Sequence, residues 1–199
     1  MNFLAHAYLS FNLPDILAGN LLSDFIKGKK QYQYSPAIQH GITLHRKIDE
    51  FTDHHEATRT AKEFFRKDYG LYAGAFIDIV YDHFLANDPE AFADAAALAK
   101  FSQECYSRLE FYSAVFPEKF STLFYYMKKQ DWLYHYRFTN GIINSFAGLV
   151  RRSAYLTDHK AAEKAFHDFY PEIRTQYQLF FPQLKSFARA ELEILLSPN

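Results

Sequence analysis

Apolar residues recur at intervals of three and four along most of the chain, which is the period of an α-helix. Asn-Gly or Asp-Gly turns flanked by alternating apolar residues, a strong hairpin signal, are absent. The pattern predicts helices over residues 14–25, 36–51, 53–67, 72–85 and 88–111, with later helices beginning at residues 117, 131 and 157. We therefore predict an all-α fold, a single-domain helical bundle over residues 1–199.

Polar residues and prolines mark where several of these helices begin. Ser35 followed by Pro36 places an N-cap residue before a first-turn proline. The segment from Asp53 to Glu56 resembles a capping box, which predicts that Asp53 caps the next helix. Asp88, followed by a proline, is interpreted as the cap of a longer helix.

Composition narrows the class of protein. The chain has 199 residues, of which 19% are aromatic, so we expect one domain with a sizeable core. The net charge of −1 gives no general attraction to nucleic acid or to a membrane. A single cysteine excludes an internal disulfide framework. The first 15 residues lack signal-peptide features, and no apolar run approaches the ~18 residues of a membrane span, so we expect a cytoplasmic protein.

Two ionisable residues, His45 and Asp49, continue the apolar face of one predicted helix. The helix that begins at Pro36 has four residues that follow one another at steps of three or four and therefore lie on one face: Ile38, Ile42, His45 and Asp49. A carboxylate on a core-facing stripe is costly unless another group pairs with it. One interpretation is a metal site, and the other is a core histidine hydrogen-bonded to the aspartate of its own helix.

The helix over residues 72–85 repeats this pattern. Asp78 and Asp82 lie four residues apart, and His83 follows Asp82 in a segment that is apolar nearly all round. Such a helix should be central in the bundle, where two aspartates one turn apart would repel each other without a cation. The alternative is that one of them caps a neighbouring helix.

Further candidates stand alone in the sequence. Asp24 ends an apolar helix, and it could be either a metal ligand or an ordinary exposed carboxylate. His6 lies among apolar residues, where a single histidine is most often a hydrogen-bonded core residue and not a ligand. His167 and Asp168 form a literal His-Asp pair, but their segment is charged and reads as a solvated helix face.

Several His and Asp residues that converge in a core indicate a divalent metal and hydrolytic chemistry. His and Asp ligands without Cys suit Mn²⁺, Mg²⁺ or Fe better than structural zinc, with zinc as an alternative. The sequence has no glycine-rich phosphate loop and no Gly-x-Ser-x-Gly elbow. Arg46 and Lys47 adjoin the candidate ligand helix and could receive a phosphate.

Separated blocks of the chain resemble the acyl carrier protein phosphodiesterase family, a divergent branch of the HD phosphohydrolases. The blocks occur in the family's order and with its spacing, and the match is strongest over residues 1–85. They are NFLAH at 2–6, GNLLSDFIKG at 19–28, HRKIDEFTD at 45–53, DHFL at 82–85, DWLYHYR at 131–137 and LVRRS at 149–153.

The resemblance implies a fold, an activity and a set of site residues. It implies an all-α, HD-phosphohydrolase-like enzyme that hydrolyses the phosphodiester joining 4′-phosphopantetheine to a serine of holo-acyl carrier protein. Mn²⁺ is the expected cofactor, with Mg²⁺ as an alternative. The metal ligands expected from pattern and resemblance together are Asp24, His45, Asp49, Asp82 and His83. The further catalytic candidates are Asp78 as ligand or orienting residue, His6 as ligand or general acid, and Arg46 as phosphate clamp.

Two rival functions stay open from the sequence alone. The same site could hydrolyse a nucleotide or another small phosphoester, or the chain could be a non-enzymatic helical interaction protein with a buried hydrogen-bond network. Because carrier proteins are acidic, basic residues including Lys29, Arg46 and Arg151 are expected to steer the substrate. The sequence leaves the oligomeric state open.

Overall fold

The computed structural model describes residues 1–197, and over these residues it contains eleven α-helices and no β-strand. The predicted all-α class is therefore confirmed. No helix in this part of the chain is both long and apolar enough to cross a membrane. The helices are α1 (Phe3–Tyr8), α2 (Pro14–Leu22), α3 (Pro36–His54), α4 (Glu56–Tyr69), α5 (Ala73–Ala86), α6 (Ala95–Glu110), α7 (Glu118–Lys129), α8 (Trp132–His135), α9 (Thr139–Arg152), α10 (Lys160–Asp168) and α11 (Tyr170–Leu196).

Helix α5 is the centre of the bundle, as its uninterrupted apolar character predicts. It packs against α1, α4, α9 and α11, and Ile77, Val80 and Leu85 have no solvent-exposed surface. The polar residues of α5 are therefore held in fixed directions by the core around them.

Helices α2 and α3 approach each other more closely than ordinary side chains allow. A Cβ atom built on Gly19 would lie 2.0 Å from the carbonyl oxygen of Ile38, and one built on Gly41 would lie 2.5 Å from that of Ile16. Only glycine therefore permits this backbone contact. The close approach brings the C-terminal end of α2 against the middle of α3, where His45 lies.

The helix starts agree with the sequence only in part. Ser35 caps α3 as predicted, because its side chain accepts a hydrogen bond from the backbone of Ile38. The predicted cap at Asp53 is wrong: α3 continues through this residue, whose carboxylate contacts Lys62, and His55 caps α4 instead. A capping box describes spacing only, and it cannot tell whether the preceding helix has already ended.

The expected start of the longer helix at Asp88 is also wrong. Helix α6 begins at Ala95, and its cap is Asp94, whose carboxylate accepts from Ala97 N at 2.8 Å. Asp88 lies in the preceding turn and accepts hydrogen bonds from Glu90 N and from the Tyr177 hydroxyl. The Asp-Pro pair marks a turn here, which is the other common use of this pair.

Candidate metal centre

Three side chains from α1 and α3 converge at one end of the α2–α3 contact. The possible ligand atoms of His6, His45 and Asp49 all lie within 4.8 Å of one another. Both histidines are buried, with 2% and 5% of their surface exposed, and their rings stack with centroids 4.0 Å apart. The expected same-face pair of His45 and Asp49 is therefore confirmed as a contact, and His6 joins it from a different helix.

Asn20 orients both imidazoles from the end of α2. Its side-chain oxygen lies 2.8 Å from His6 Nδ1, and its backbone oxygen lies 2.7 Å from His45 Nδ1. The side-chain nitrogen of Asn20 donates to His6 O and to Ser10 Oγ, so the side-chain oxygen is the acceptor. Each histidine therefore donates from Nδ1, and each directs Nε2 at the cluster.

The Nε2 atom of His6 is buried and has no hydrogen-bond partner. It lies 3.2 Å from Asp49 Oδ1, but both atoms present lone pairs because the His6 proton is on Nδ1. Burial, together with the neighbouring charge of His45, lowers the pKa of His6 to about 4, so this ring is neutral at pH 7. With its proton on Nδ1, His6 therefore presents a free Nε2 lone pair beside the Asp49 carboxylate, which is the arrangement of two ligands to one cation.

His45 Nε2 contacts two carboxylates at once. It lies 3.1 Å from Asp24 Oδ1 and 3.1 Å from Asp49 Oδ2. Burial lowers the pKa of His45, but hydrogen bonds to these carboxylates outweigh burial and raise the pKa to about 9. The proton on Nε2 therefore occupies the position that a cation would take.

The separations within the cluster fit a single divalent cation. Two ligand atoms at right angles, each about 2.1 Å from one cation, are about 3.0 Å apart. Asp49 Oδ1 lies 3.2 Å from His6 Nε2, and Asp49 Oδ2 lies 3.1 Å from His45 Nε2, so each of these two contacts has the separation of a ligand pair. Asp24 is 69% exposed in its side chain, and its pKa is lowered mainly by the hydrogen bond with His45, so it is an ionised carboxylate at the open side.

Asp49 and Asp78 share the amino group of Met1, which lies 3.3 Å from Asp49 Oδ1 and 3.1 Å from Asp78 Oδ1. Burial opposes ionisation of Asp49, but this ammonium and the hydrogen bond with His45 hold its pKa well below its usual range. For Asp78 burial dominates and raises the pKa, although the ammonium acts in the opposite direction. Asp78 is thus beside the cluster and contacts it through Met1.

For the aspartates of α5 the sequence left two interpretations, a cation site or a cap on a neighbouring helix. Asp82 is such a cap. Its carboxylate is fully buried and accepts hydrogen bonds from the backbone of Leu4 at 2.7 Å and of Ala5 at 3.2 Å, in the first turn of α1. Burial raises the pKa of Asp82 to about 7, and these hydrogen bonds act against it. Asp82 therefore positions the helix that carries His6.

The structure separates two other candidates from the cluster. His83 has both ring nitrogens engaged elsewhere, Nδ1 with Tyr136 O at 2.8 Å and Nε2 with the Tyr170 hydroxyl at 2.9 Å. Arg46 is exposed and donates to the side chain of Gln31 at 2.7 Å. His83 faces away because adjacent helix residues point about 100° apart, so it cannot share the direction of Asp82.

Sequence reasoning overlooked the role of Asn20. Its signal is a Gly-Asn pair inside an apolar helix, one turn before Asp24, in a position where a polar side chain needs buried partners. Gly41 carries a related signal, because a glycine in the middle of a long helix commonly marks a close approach of another backbone.

Fold and site together define an all-α protein with a candidate centre for a divalent cation. A family model described as acyl carrier protein phosphodiesterase matches residues 1–184. Over 189 residues the chain is 31% identical to "Acyl carrier protein phosphodiesterase" of Serratia proteamaculans (strain 568), which covers 95% of this chain and 98% of the relative. The corresponding protein of Escherichia coli O6:H1 is 33% identical, with 88% and 97% covered.

The chain therefore belongs to the acyl carrier protein phosphodiesterase family, and the resemblance drawn from its sequence is confirmed. No solved structure matches the chain. The expected likeness to HD phosphohydrolases stays a prediction beyond its all-α class.

Proposed function

We propose that this protein hydrolyses the phosphodiester between 4′-phosphopantetheine and the serine of holo-acyl carrier protein, giving apo-carrier protein and free phosphopantetheine. Family membership supports this reaction. The observation that carries the proposal of a metal-dependent reaction is the buried, unpartnered Nε2 of His6 that faces the Asp49 carboxylate.

The ligand set that we propose is His6, His45 and Asp49, with Asp24 as a fourth ligand on the open side. Mn²⁺ is the proposed ion and Mg²⁺ the alternative, because imidazole and carboxylate ligands without thiolate suit these ions. When bound, a divalent cation lowers the pKa of a water and neutralises the charge on phosphoryl oxygens. His6 is proposed as a ligand rather than as the general acid, because Asn20 holds its only proton on the opposite side of the ring.

The other site residues act around these ligands. Asn20 holds both imidazoles in the tautomer that presents a lone pair to the cation. Asp78 restrains the Met1 amino group that contacts Asp49. Arg46 lies on the ligand helix α3, where it is exposed to solvent, and we propose that it turns from Gln31 to the phosphate when substrate binds.

Exposed basic side chains are proposed to attract the acidic carrier protein. Lys29, Arg46 and Arg151 are all exposed, so their charges act over about 8–10 Å at moderate salt. Reversing these charges should raise the KM for carrier protein, and added salt should reduce the difference from the wild type. Unchanged turnover of carrier protein by the charge-reversed variant contradicts this docking surface.

The experiment that tests the reaction is turnover of purified holo-acyl carrier protein, followed by mass spectrometry, with and without Mn²⁺. We expect loss of the phosphopantetheine mass only with metal, and a strongly reduced rate for Asp24→Ala. Asp68→Ala is the matched control, because Asp68 is an exposed aspartate on α4 outside the site. Metal-dependent cleavage of small phosphoesters with holo-carrier protein left intact favours the small-substrate rival. A protein that binds no metal favours the interaction-protein rival.

A further inference from the structure

A cavity of about 720 Å³ lies beside the candidate metal centre, and this volume is typical of a small-molecule site. Its walls come from the start of the chain, α5, α8 and α9. Asn2 and Phe3 line this cavity and also the small cleft formed with His6, Asp24 and His45. The cavity and the metal centre are therefore direct neighbours that share one wall.

One face of α9 forms a polar wall of the cavity. Four residues of α9 line the cavity at steps of three or four and so form one stripe along the helix: Asn140, Asn144, Gly148 and Arg151. The eleven residue-to-residue steps from Asn140 to Arg151 span about 16 Å of helix. Within residues 1–197 the side-chain amides of Asn140 and Asn144 bond to no other protein group, so they are available to a ligand.

Aromatic residues lie where the cavity meets the metal-centre cleft. The rings of Phe3 and Trp132 have centroids 6.4 Å apart, and the indole of Trp132 donates to Gln130 Oε1 at 2.8 Å. Phe138 adds a further ring to the lining and is 42% exposed. These rings offer apolar contact between two polar regions.

The end of the cavity at Arg151 and Arg152 is positively charged. Within the described residues neither arginine forms an ion pair, and a Cβ atom built on Gly148 would lie 3.2 Å from Arg152 Nη1. Both arginines line the same cavity as Asn2 and Phe3, the two residues that the cavity shares with the metal-centre cleft.

We propose that this cavity binds the pantetheine arm of the substrate, with the phosphate side of the arm towards Arg152 and the thiol side towards Asn140. The arm carries two amides, a hydroxyl group and a dimethyl group. Side-chain amides on α9 pair with its amides, and the rings of Phe3 and Trp132 contact its dimethyl group. The arm has three residue-sized units, so it extends upwards of about 10 Å and fits the stripe. This inference rests on the proposed function.

The test fills the cavity with Gly148→Leu, because a Cβ atom at this position meets only the ends of the Arg151 and Arg152 side chains. Gly74→Leu is the matched control, because a Cβ atom there meets only the end of the Lys62 side chain. Two quantities are measured for each protein loaded with Mn²⁺: the Kd for free 4′-phosphopantetheine by calorimetry and the KM for holo-carrier protein. The Mn²⁺ affinity of each variant checks that the metal centre is still assembled.

We expect Gly148→Leu to weaken phosphopantetheine binding and to raise KM at least tenfold, with wild-type values for Gly74→Leu. Unchanged Kd and KM in a folded Gly148→Leu protein overturn the proposed binding site. If the wild type does not hydrolyse holo-carrier protein, the proposed function fails, and the calorimetric comparison still decides whether the cavity binds the arm. Tight binding of inorganic phosphate alone, with no added affinity from the pantetheine portion, also overturns it.

Discussion

The contact between Gly19 and Gly41 connects helix packing to the metal centre, and Gly41→Ala tests that connection. A Cβ atom at position 41 would lie 2.5 Å from the carbonyl oxygen of Ile16, whereas ordinary contact begins near 3.4 Å, so the backbones must separate by about 0.9 Å. The bond from His45 Nδ1 to Asn20 O is 2.7 Å long. Lengthened by that amount, it would reach about 3.6 Å, which is no longer a hydrogen bond.

The expected cost follows from these distances. Overpacking in a rigid core costs about 1–3 kcal/mol, and the lost hydrogen bond of His45 adds about 1 kcal/mol. Replacing glycine by alanine within a helix returns up to about 1 kcal/mol. We therefore expect a net loss of about 1–3 kcal/mol in the free energy of unfolding, or a fall in Tm of about 2–12 °C for a chain of this length.

Urea unfolding followed by circular dichroism measures the stability, and Mn²⁺ calorimetry on the same protein measures the site. Gly74→Ala is the control, because its Cβ atom meets only the side chain of Lys62, at 3.2 Å. We expect Gly74→Ala to keep or slightly raise stability and to keep the wild-type Mn²⁺ affinity. Equal stability and equal Mn²⁺ affinity for the two variants would refute the reasoning that α2 must touch α3 to assemble the site.

Three further variants or conditions test individual contacts. Asn20→Ala should weaken Mn²⁺ binding about 10–100-fold by calorimetry, because it frees the His6 ring; unchanged affinity speaks against that role. Without metal, the pKa of His45 is raised from 6.5 to about 9. Protonated His45 therefore contributes fully to the stability of the fold below pH 6.5, and this contribution is lost as the pH rises through 9. The Tm in chelator should fall over that range, and the fall should be absent in His45→Gln. Asp82→Ala should cost roughly 2–5 kcal/mol in urea unfolding, because buried amides of α1 lose their acceptor.

Much of the fold was accessible from periodicity and from a few cap residues. The apolar character of α5 predicted its central position, and Ser35 marked the start of α3. The predicted caps at Asp53 and Asp88 were wrong because an aspartate with this spacing also occurs within a continuing helix or in a turn. Contacts with distant residues, Lys62 for Asp53 and Tyr177 for Asp88, accompany the observed conformations.

The site was predictable only where its residues share one helix. His45 and Asp49 lie one turn apart, so their contact follows from spacing. The partnership of His6 with them depends on how α1 lies across α2 and α3, which no local pattern encodes. Asp82 was placed correctly on a buried face, but spacing could not distinguish a metal from the free amides of α1 as its partner.

The most direct test of the central claim is the anomalous scattering of Mn²⁺ in crystals of the protein grown with MnCl₂. We predict one strong peak about 2.0–2.3 Å from His6 Nε2, His45 Nε2 and an oxygen of Asp49, with Asp24 on its open side. A peak placed instead at Asp78, Asp82 or His83, or no bound Mn²⁺ in a protein that still hydrolyses holo-carrier protein, would contradict it.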